Sequence, residues 1–243
     1  EFVAVRVVQS AVAALAVVHD DFTAGVGQHW RADRERFEGE QRQALERRGH
    51  DHHRRGFEGP LIGITGSSGK TTTKDLCAAA LGAERSCLRT RGNLNNEFGV
   101  PLTLLSREPE HRVAVIELGM NHRGEIARLT EIAEPSVGLI TNIGTAHIEF
   151  LGSAEAIADE KGDLFAALPA DGIAVVNLED PAVVAQAERS PARKLGYGFS
   201  PKADVRARLP RFGCAAGEAI LYLMRIRSVH ARMIRVRKQG YYT

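Results

Sequence analysis

Gly63 to Lys74 read GITGSSGKTTTK, in which glycines and serines are followed by a lysine, three threonines and a second lysine. A short aliphatic run precedes it and a helical pattern follows it. Glycines let the backbone N–H groups of such a loop turn toward a phosphate, and the helix that follows presents the positive end of its dipole to the same anion. The run therefore predicts a binding site for a nucleoside triphosphate.

Two side chains of this loop have specific expected roles. Lys70 is expected to reach the β- and γ-phosphates of ATP, and the Thr71 hydroxyl is expected to contact Mg²⁺. The spacing departs from the common G-x-x-x-x-G-K-[ST] pattern, because Ile64 stands where that pattern has its first glycine. A plain turn with a surface lysine is the alternative interpretation. The predicted nucleotide-binding residues are Gly66, Ser67, Ser68, Gly69, Lys70, Thr71 and Thr72.

From Pro60 onward, short aliphatic runs alternate with amphipathic helical patterns. This alternation predicts an α/β fold, a mostly parallel sheet with helices on both faces. Predicted strands cover residues 61–65, 113–118, 137–142, 173–177 and 194–197, and predicted helices cover residues 70–81, 95–105, 125–132, 154–168 and 182–188. Ser153 and Asp180 are the residue types that cap helix starts, and each precedes one of these helices.

The composition limits the class of protein. The chain has 243 residues, is 44% hydrophobic and carries a net charge of only +2, so no electrostatic reason exists to expect a nucleic-acid partner. The apolar run at residues 2–18 is too short and too polar to insert into a membrane. Cys77, Cys87 and Cys214 lie far apart, which suggests neither a disulfide framework nor a zinc site and favours a cytoplasmic setting.

Both ends of the chain differ from the central part. Residues 1–59 contain a long stretch crowded with arginine, glutamate and histidine, which predicts an irregular charged segment. Residues 208–243 form a basic tail with scattered apolar residues and no assigned structure. We therefore expect one central domain at residues 60–207.

Several polar residues follow predicted strands or precede predicted helices. Glu117 ends a strand, where open α/β sheets place ligand groups, so its carboxylate could share Mg²⁺ with Thr71. Alternatively, Glu117 only caps a helix or pairs with an arginine. His147 also follows a strand, and a neutral imidazole binds divalent ions, although a lone histidine is more often structural. The amides of Asn93, Asn95 and Asn96 suit either a polar substrate or helix capping.

Four further runs occur in a fixed order after the loop: TRGNLNNEFGVPLT (90–103), IELGMNHRGEI (116–126), TNIGTAHIEFLGS (141–153) and ADEKGD (158–163). Together with the loop, they resemble the central ATP-binding domain of the Mur ligases of peptidoglycan synthesis. The resemblance covers residues 60–207 and is strongest to the ligases that add D-alanyl-D-alanine.

The resemblance implies a reaction and a set of roles. ATP would phosphorylate the terminal carboxylate of a UDP-N-acetylmuramyl tripeptide, and the amine of D-alanyl-D-alanine would then attack the acyl phosphate. Lys70, His147 and Lys161 would be catalytic. The metal ligands would be Thr71, Glu117, His147 and Lys161, with Lys161 carbamylated by CO₂. The loop with Asn93, Asn95 and Asn96 would face the UDP-muramyl peptide.

Mur ligases also have an amino-terminal domain for the uridine group and a carboxy-terminal domain that closes over ATP. Residues 1–59 do not resemble the first of these, although residues 2–18 could be its remnant, so we expect a truncated ligase. Two alternatives remain open: an ATP-binding module without ligase activity, and an amide ligase of the folylpolyglutamate or cyanophycin type. The GNLNN and ELGMN runs favour the dipeptide-adding ligase over the last of these.

Overall fold

The computed structural model describes residues 57, 59–83, 86–144 and 148–206. The expectations for residues 1–56 and 208–243 lie outside these ranges. In chain order, the elements are β1 (Leu61–Thr65), α1 (Lys70–Gly82), β2 (Cys87–Arg89), α2 (Gly99–Leu105), β3 (Val113–Glu117), α3 (Glu125–Ala133), β4 (Val137–Ile140), α4 (Ile148–Leu151), α5 (Ala154–Ala166), β5 (Ile173–Asn177), α6 (Pro181–Ala187), β6 (Arg193–Gly198) and β7 (Val205–Arg206). None of these helices combines the length and the apolar character needed to cross a membrane.

The strands form one seven-stranded sheet in the order β2-β3-β1-β4-β5-β6-β7. All neighbouring strands are parallel, which confirms the predicted fold class. Every residue of β1, β3, β4 and β5 is buried. Their aliphatic composition fits this position, because parallel strands covered on both faces read as continuous apolar runs.

Helices cover both faces of the sheet, and the alternation within β1 shows how. Leu61 belongs to the apolar cluster that contains the buried side chains of α2, α3, α5 and α6. Ile62 and Ile64 belong to the second cluster, which contains those of α1. Successive side chains of a strand point to opposite faces, so α1 lies across the sheet from α2, α3, α5 and α6.

This arrangement locates the natural ligand crevice. From β1 the chain crosses one face through α1 to β2, and from β3 it crosses the other face through α3 to β4. The two connections therefore diverge at the carboxyl ends of the neighbouring strands β1 and β3. Open α/β sheets bind ligands at such a point.

The structure differs from the sequence prediction at several boundaries. The sequence did not predict β2, α4 or β7, and β3 and β4 end earlier than expected. The helix expected from Asn95 begins at Gly99 instead. Asn96 Oδ1 accepts hydrogen bonds from the N–H groups of Phe98 (3.3 Å) and Gly99 (2.9 Å). The residues before Gly99 therefore form a polar turn, and the helix starts later than expected.

Both predicted helix caps are confirmed. Ser153 Oγ accepts a hydrogen bond from the N–H of Ala156 at 3.1 Å, at the start of α5. Asp180 Oδ1 accepts from the N–H groups of Ala182 (3.0 Å) and Val183 (3.3 Å), at the start of α6. Asp180 has a second function, because its Oδ2 accepts from the N–H of Ile143 at 2.7 Å and so holds the loop after β4.

These two caps give a matched pair of stability variants. Ser153→Ala removes one cap and should lower the free energy of unfolding by about 1 kcal/mol. Asp180→Ala also leaves the Ile143 N–H without its acceptor, so it should cost about 2 to 4 kcal/mol. Urea unfolding of both variants measures the difference. Equal losses would contradict the role of Asp180 in holding the loop.

Candidate nucleotide-binding site

The loop between β1 and α1 depends on two glycines with positive φ. Gly66 has φ +142° and Gly69 has φ +80°, both in the region that L side chains disfavour. Gly69 directly precedes α1, and no side chain of the described residues caps that helix. The N–H groups of the first turn of α1 therefore have the free donor capacity that a bound anion satisfies.

The loop is tied to the end of β4 by hydrogen bonds from both sides. Thr141 Oγ1 donates to the Ser68 carbonyl at 2.6 Å, and Asn142 Nδ2 donates to the same oxygen at 3.0 Å. The Ser68 N–H donates to Asn142 Oδ1 at 3.1 Å, and the Ser67 N–H donates to the Asn142 carbonyl at 2.9 Å. The backbone of Gly66 lies so close that a Cβ there would be 1.9 Å from Thr141 Oγ1.

The end of β4 is itself held by the next strand. Asn177 Nδ2 donates to the Thr141 carbonyl at 2.9 Å, and Asp180 accepts from Ile143 as described above. No role for Thr141, Asn142 or Asn177 is predicted from the sequence. The sequence does show a polar pair, Thr141 and Asn142, directly after the buried strand β4. Which residues this pair contacts depends on the order of the strands in the sheet.

Lys70 lies over the loop. Its Nζ donates to the Gly66 carbonyl at 2.7 Å, so the ammonium group is held against the loop. Burial lowers the pKa of Lys70, and the negative charge of Glu117 opposes this shift. An anion bound in the loop would relieve the cost of burying this cation.

Glu117 is 2% exposed, and its two carboxylate oxygens have different surroundings. Oε1 accepts hydrogen bonds from Thr71 Oγ1 at 3.2 Å and from Asn95 Nδ2 at 2.9 Å. Oε2 is buried without a hydrogen-bond partner and lies 3.6 Å from the ammonium of Lys74. The arginine partners considered from the sequence are thus replaced by a lysine of α1.

Thr71 and Glu117 fit a shared Mg²⁺ ion. The distance of 3.2 Å between Thr71 Oγ1 and Glu117 Oε1 is close to the roughly 2.9 Å that separates adjacent ligands of an octahedral Mg²⁺. Within the described ranges, no group of three or more histidine, cysteine, aspartate or glutamate side chains gathers for a metal. A site with one carboxylate suits an ion that keeps water and phosphate oxygens as its other ligands.

Lys161 is 1% exposed on α5. Its burial and the nearby charge of Lys70 lower its pKa to about 8, while Glu160 opposes the shift. Glu160 accepts hydrogen bonds from the N–H groups of Gly124 (2.7 Å) and Ile126 (2.9 Å), at the start of α3. This carboxylate, which the sequence analysis did not select, therefore ties α5 to α3 beside Lys161.

A cleft of about 550 Å³ opens next to Lys70. Asn95 and Asn96 line it, but the amide of Asn95 already binds Glu117, and that of Asn96 accepts from the N–H groups of Phe98 and Gly99. Asn93 is exposed and is not part of this lining. His147 lies outside the described residues. The remaining lining residues are Glu97, Gly119, Met120, Asn121, Arg123, Gly124, Glu125, Arg128 and Leu129.

The close approach of Gly66 to Thr141 gives a second stability test. Gly66→Ala combines a strained φ with a clash, so it should lower the free energy of unfolding by about 3 kcal/mol or more. Gly92→Ala is the control: Gly92 has φ +55° but no atom within 4 Å of its Cβ position. This control should cost only about 1 kcal/mol. Urea unfolding would contradict the clash if the two variants lost equal stability.

Comparisons with known proteins identify the family of the chain. Residues 64–220 match the family described as the Mur ligase middle domain. The UDP-N-acetylmuramoyl-tripeptide–D-alanyl-D-alanine ligase of Synechocystis sp. is 49% identical over 136 residues, which are 56% of this chain and 30% of that protein. The chain therefore spans under a third of the length of this curated relative.

Solved structures show the same likeness. MurF from Acinetobacter baumannii aligns with a TM-score of 0.69 and 33% identity, over 81% of this chain and 42% of that one. MurF ligase from Thermotoga maritima in complex with ADP aligns with a TM-score of 0.68 and 29% identity, over 89% of this chain and 48% of that one. Together with the match over most of the chain, these similarities show that the chain belongs to the Mur ligase family and contains its middle domain.

Proposed function

We propose that this chain is the ATP-binding part of a ligase that adds D-alanyl-D-alanine to UDP-N-acetylmuramyl tripeptide. The observation that carries the proposal is the meeting of the Gly66–Thr71 loop with the buried carboxylate of Glu117. The identity to ligases of this name supports the choice of substrates over those of other amide ligases. We place the reaction in the cytoplasm and propose that it involves neither nucleic acid nor membrane insertion.

The residues of the site have separate roles in the proposed phosphoryl transfer. The loop N–H groups and Lys70 hold the phosphates of ATP, and Thr71 and Glu117 hold the metal. When bound, Mg²⁺ supplies positive charge that neutralises the charge developing on the transferred phosphoryl group. The carboxylate of the muramyl tripeptide becomes an acyl phosphate, and the amine of D-alanyl-D-alanine displaces phosphate from it. Lys70 stabilises negative charge throughout, and no side chain acts as a covalent nucleophile.

His147 and Lys161 complete the proposed site. The resemblance assigns His147 to a second Mg²⁺ and Lys161 to the same ion as a carbamate. Carbamylation requires a free amine, and a pKa of about 8 leaves roughly one tenth of Lys161 unprotonated at pH 7. At the ordinary value of 10.5 this fraction would be roughly one in three thousand. The lowered pKa of Lys161 therefore supports the carbamate.

The carbamate has a direct spectroscopic test. Incubation with ¹³C-labelled CO₂ should give a carbamate signal in ¹³C NMR that Lys161→Ala removes and that the exposed-site control Lys202→Ala leaves unchanged. At a fixed CO₂ pressure the signal should grow as pH rises from 7 to 9, because the free amine increases as the lysine deprotonates through its pKa of about 8. An equal signal in Lys161→Ala would place the carbamate elsewhere.

The proposed function is tested by phosphate release from ATP and Mg²⁺. UDP-N-acetylmuramyl tripeptide and D-alanyl-D-alanine are added separately and together, with Lys70→Ala as the inactive control. Full turnover should require both substrates, and Lys70→Ala should lower it at least a hundredfold because the phosphates lose their cation. Binding of ATP without release under any condition would leave a nucleotide-binding module and contradict ligase activity of this chain. Release with glutamate and a folate in place of these substrates would favour the folylpolyglutamate type.

A further inference from the structure

Lys74 is a buried cation to which neither the sequence motifs nor the proposed mechanism gives a role. It lies on α1 one turn after Lys70 and is 1% exposed. A charged side chain this deeply buried needs a partner of opposite charge, since burial of an unpaired charge is very costly. The partner with which it is buried is Glu117, the carboxylate at the centre of the site.

The contacts of Lys74 are all long. Its Nζ lies 3.6 Å from Glu117 Oε2, 3.5 Å from Asp75 Oδ1 and 3.5 Å from the Gly92 carbonyl. A charge-assisted N–H···O bond is normally 2.7 to 2.9 Å. Lys74 therefore neutralises Glu117 by its charge across a gap, and Oε2 keeps no hydrogen bond.

The two oxygens of Glu117 consequently face different groups. Oε1 faces Thr71 and Asn95, on the side where a metal would share it with the Thr71 hydroxyl. Oε2 faces Lys74 and is closed to solvent. A divalent ion at Oε1 therefore meets a carboxylate whose charge is already balanced by an ammonium on its other side.

The surrounding charges strengthen this effect. Lys70 interacts electrostatically with Glu117. The carboxylate of Glu160 is engaged by the N–H groups at the start of α3. Without nucleotide, a divalent cation near Glu117 is attracted by one balanced carboxylate and repelled by Lys70 and Lys74. A bound triphosphate reverses the local charge.

We propose that Lys74 is the internal counter-ion of Glu117 and makes the metal site depend on nucleotide. Because Lys74 weakens the attraction of Glu117 for a free divalent ion, the metal enters only with the phosphates. The proposal rests on the metal site of the proposed function. Lys74 is a positioning residue in this scheme, since it acts on the metal through Glu117.

The test measures Mn²⁺ binding to the full chain by electron paramagnetic resonance, in the absence of nucleotide. Wild-type protein should bind Mn²⁺ weakly, and Lys74→Met should bind it at least tenfold more tightly, because Glu117 regains its unbalanced charge. Lys74→Arg keeps the positive charge and should stay weak. The double variant Lys74→Met/Glu117→Gln should lose the gain, since no carboxylate remains to attract the ion.

A merely structural role for Lys74 predicts the opposite outcome. In that case a folded Lys74→Met would bind Mn²⁺ no more tightly than wild type, which would overturn the proposal. If Lys74→Met does not fold, Lys74→Gln provides the same comparison, because it is neutral and retains a donor for the Gly92 carbonyl. Circular dichroism establishes folding of each variant before the metal titration.

A further measurement distinguishes a failure of this proposal from a failure of the proposed function. Wild-type protein with a non-hydrolysable ATP analogue should bind Mn²⁺ at least tenfold more tightly than without it, and Glu117→Gln should abolish that gain. If the analogue brings no gain that depends on Glu117, the metal site itself is wrong. If the analogue brings the gain but Lys74→Met binds like wild type without nucleotide, only the role of Lys74 is wrong.

Discussion

The register of β1 between its two neighbours is the constraint on which the site depends. Ile64 pairs with Glu117 of β3 on one side, and Thr65 pairs with Ile140 of β4 on the other. Because all three strands are parallel, the phosphate loop, Glu117 and the residues after β4 reach the same edge of the sheet. A slip of one residue in β3 would turn Glu117 to the other face and leave Thr71 without its carboxylate.

Electrostatics explains why this edge suits a triphosphate. Lys70 is half-buried and interacts with the fully buried Lys161, and each has a lowered pKa because burial disfavours its charge. Glu117, at the centre of the site, has a buried oxygen without a hydrogen bond. The site therefore carries electrostatic strain that a polyanion with its metal would relieve. A protein without such a ligand would gain stability from apolar residues at these positions.

The sequence predicted the parts of this structure that depend on local chemistry. Periodicity placed β1 and β5, and the capping preferences of Ser153 and Asp180 marked the starts of α5 and α6.

The parts of the structure that depend on distant contacts were not predicted. The strand β2 has three residues, too few for a pattern to show. Each asparagine of the GNLNN run could cap or bind, and only the fold distinguishes Asn96, which forms the turn before α2, from Asn95, which supports Glu117. The burial of Lys74 against Glu117 is likewise invisible in sequence, because it follows from the packing of α1 on β3.

The most direct test of the site is a crystal structure of the chain with Mn²⁺ and a non-hydrolysable ATP analogue, in which anomalous scattering locates the metal. The account predicts phosphates against the loop at Gly66–Thr71 and a metal bonded to both Thr71 Oγ1 and Glu117 Oε1. Nucleotide bound away from the loop, or a metal that does not contact Glu117, would contradict it.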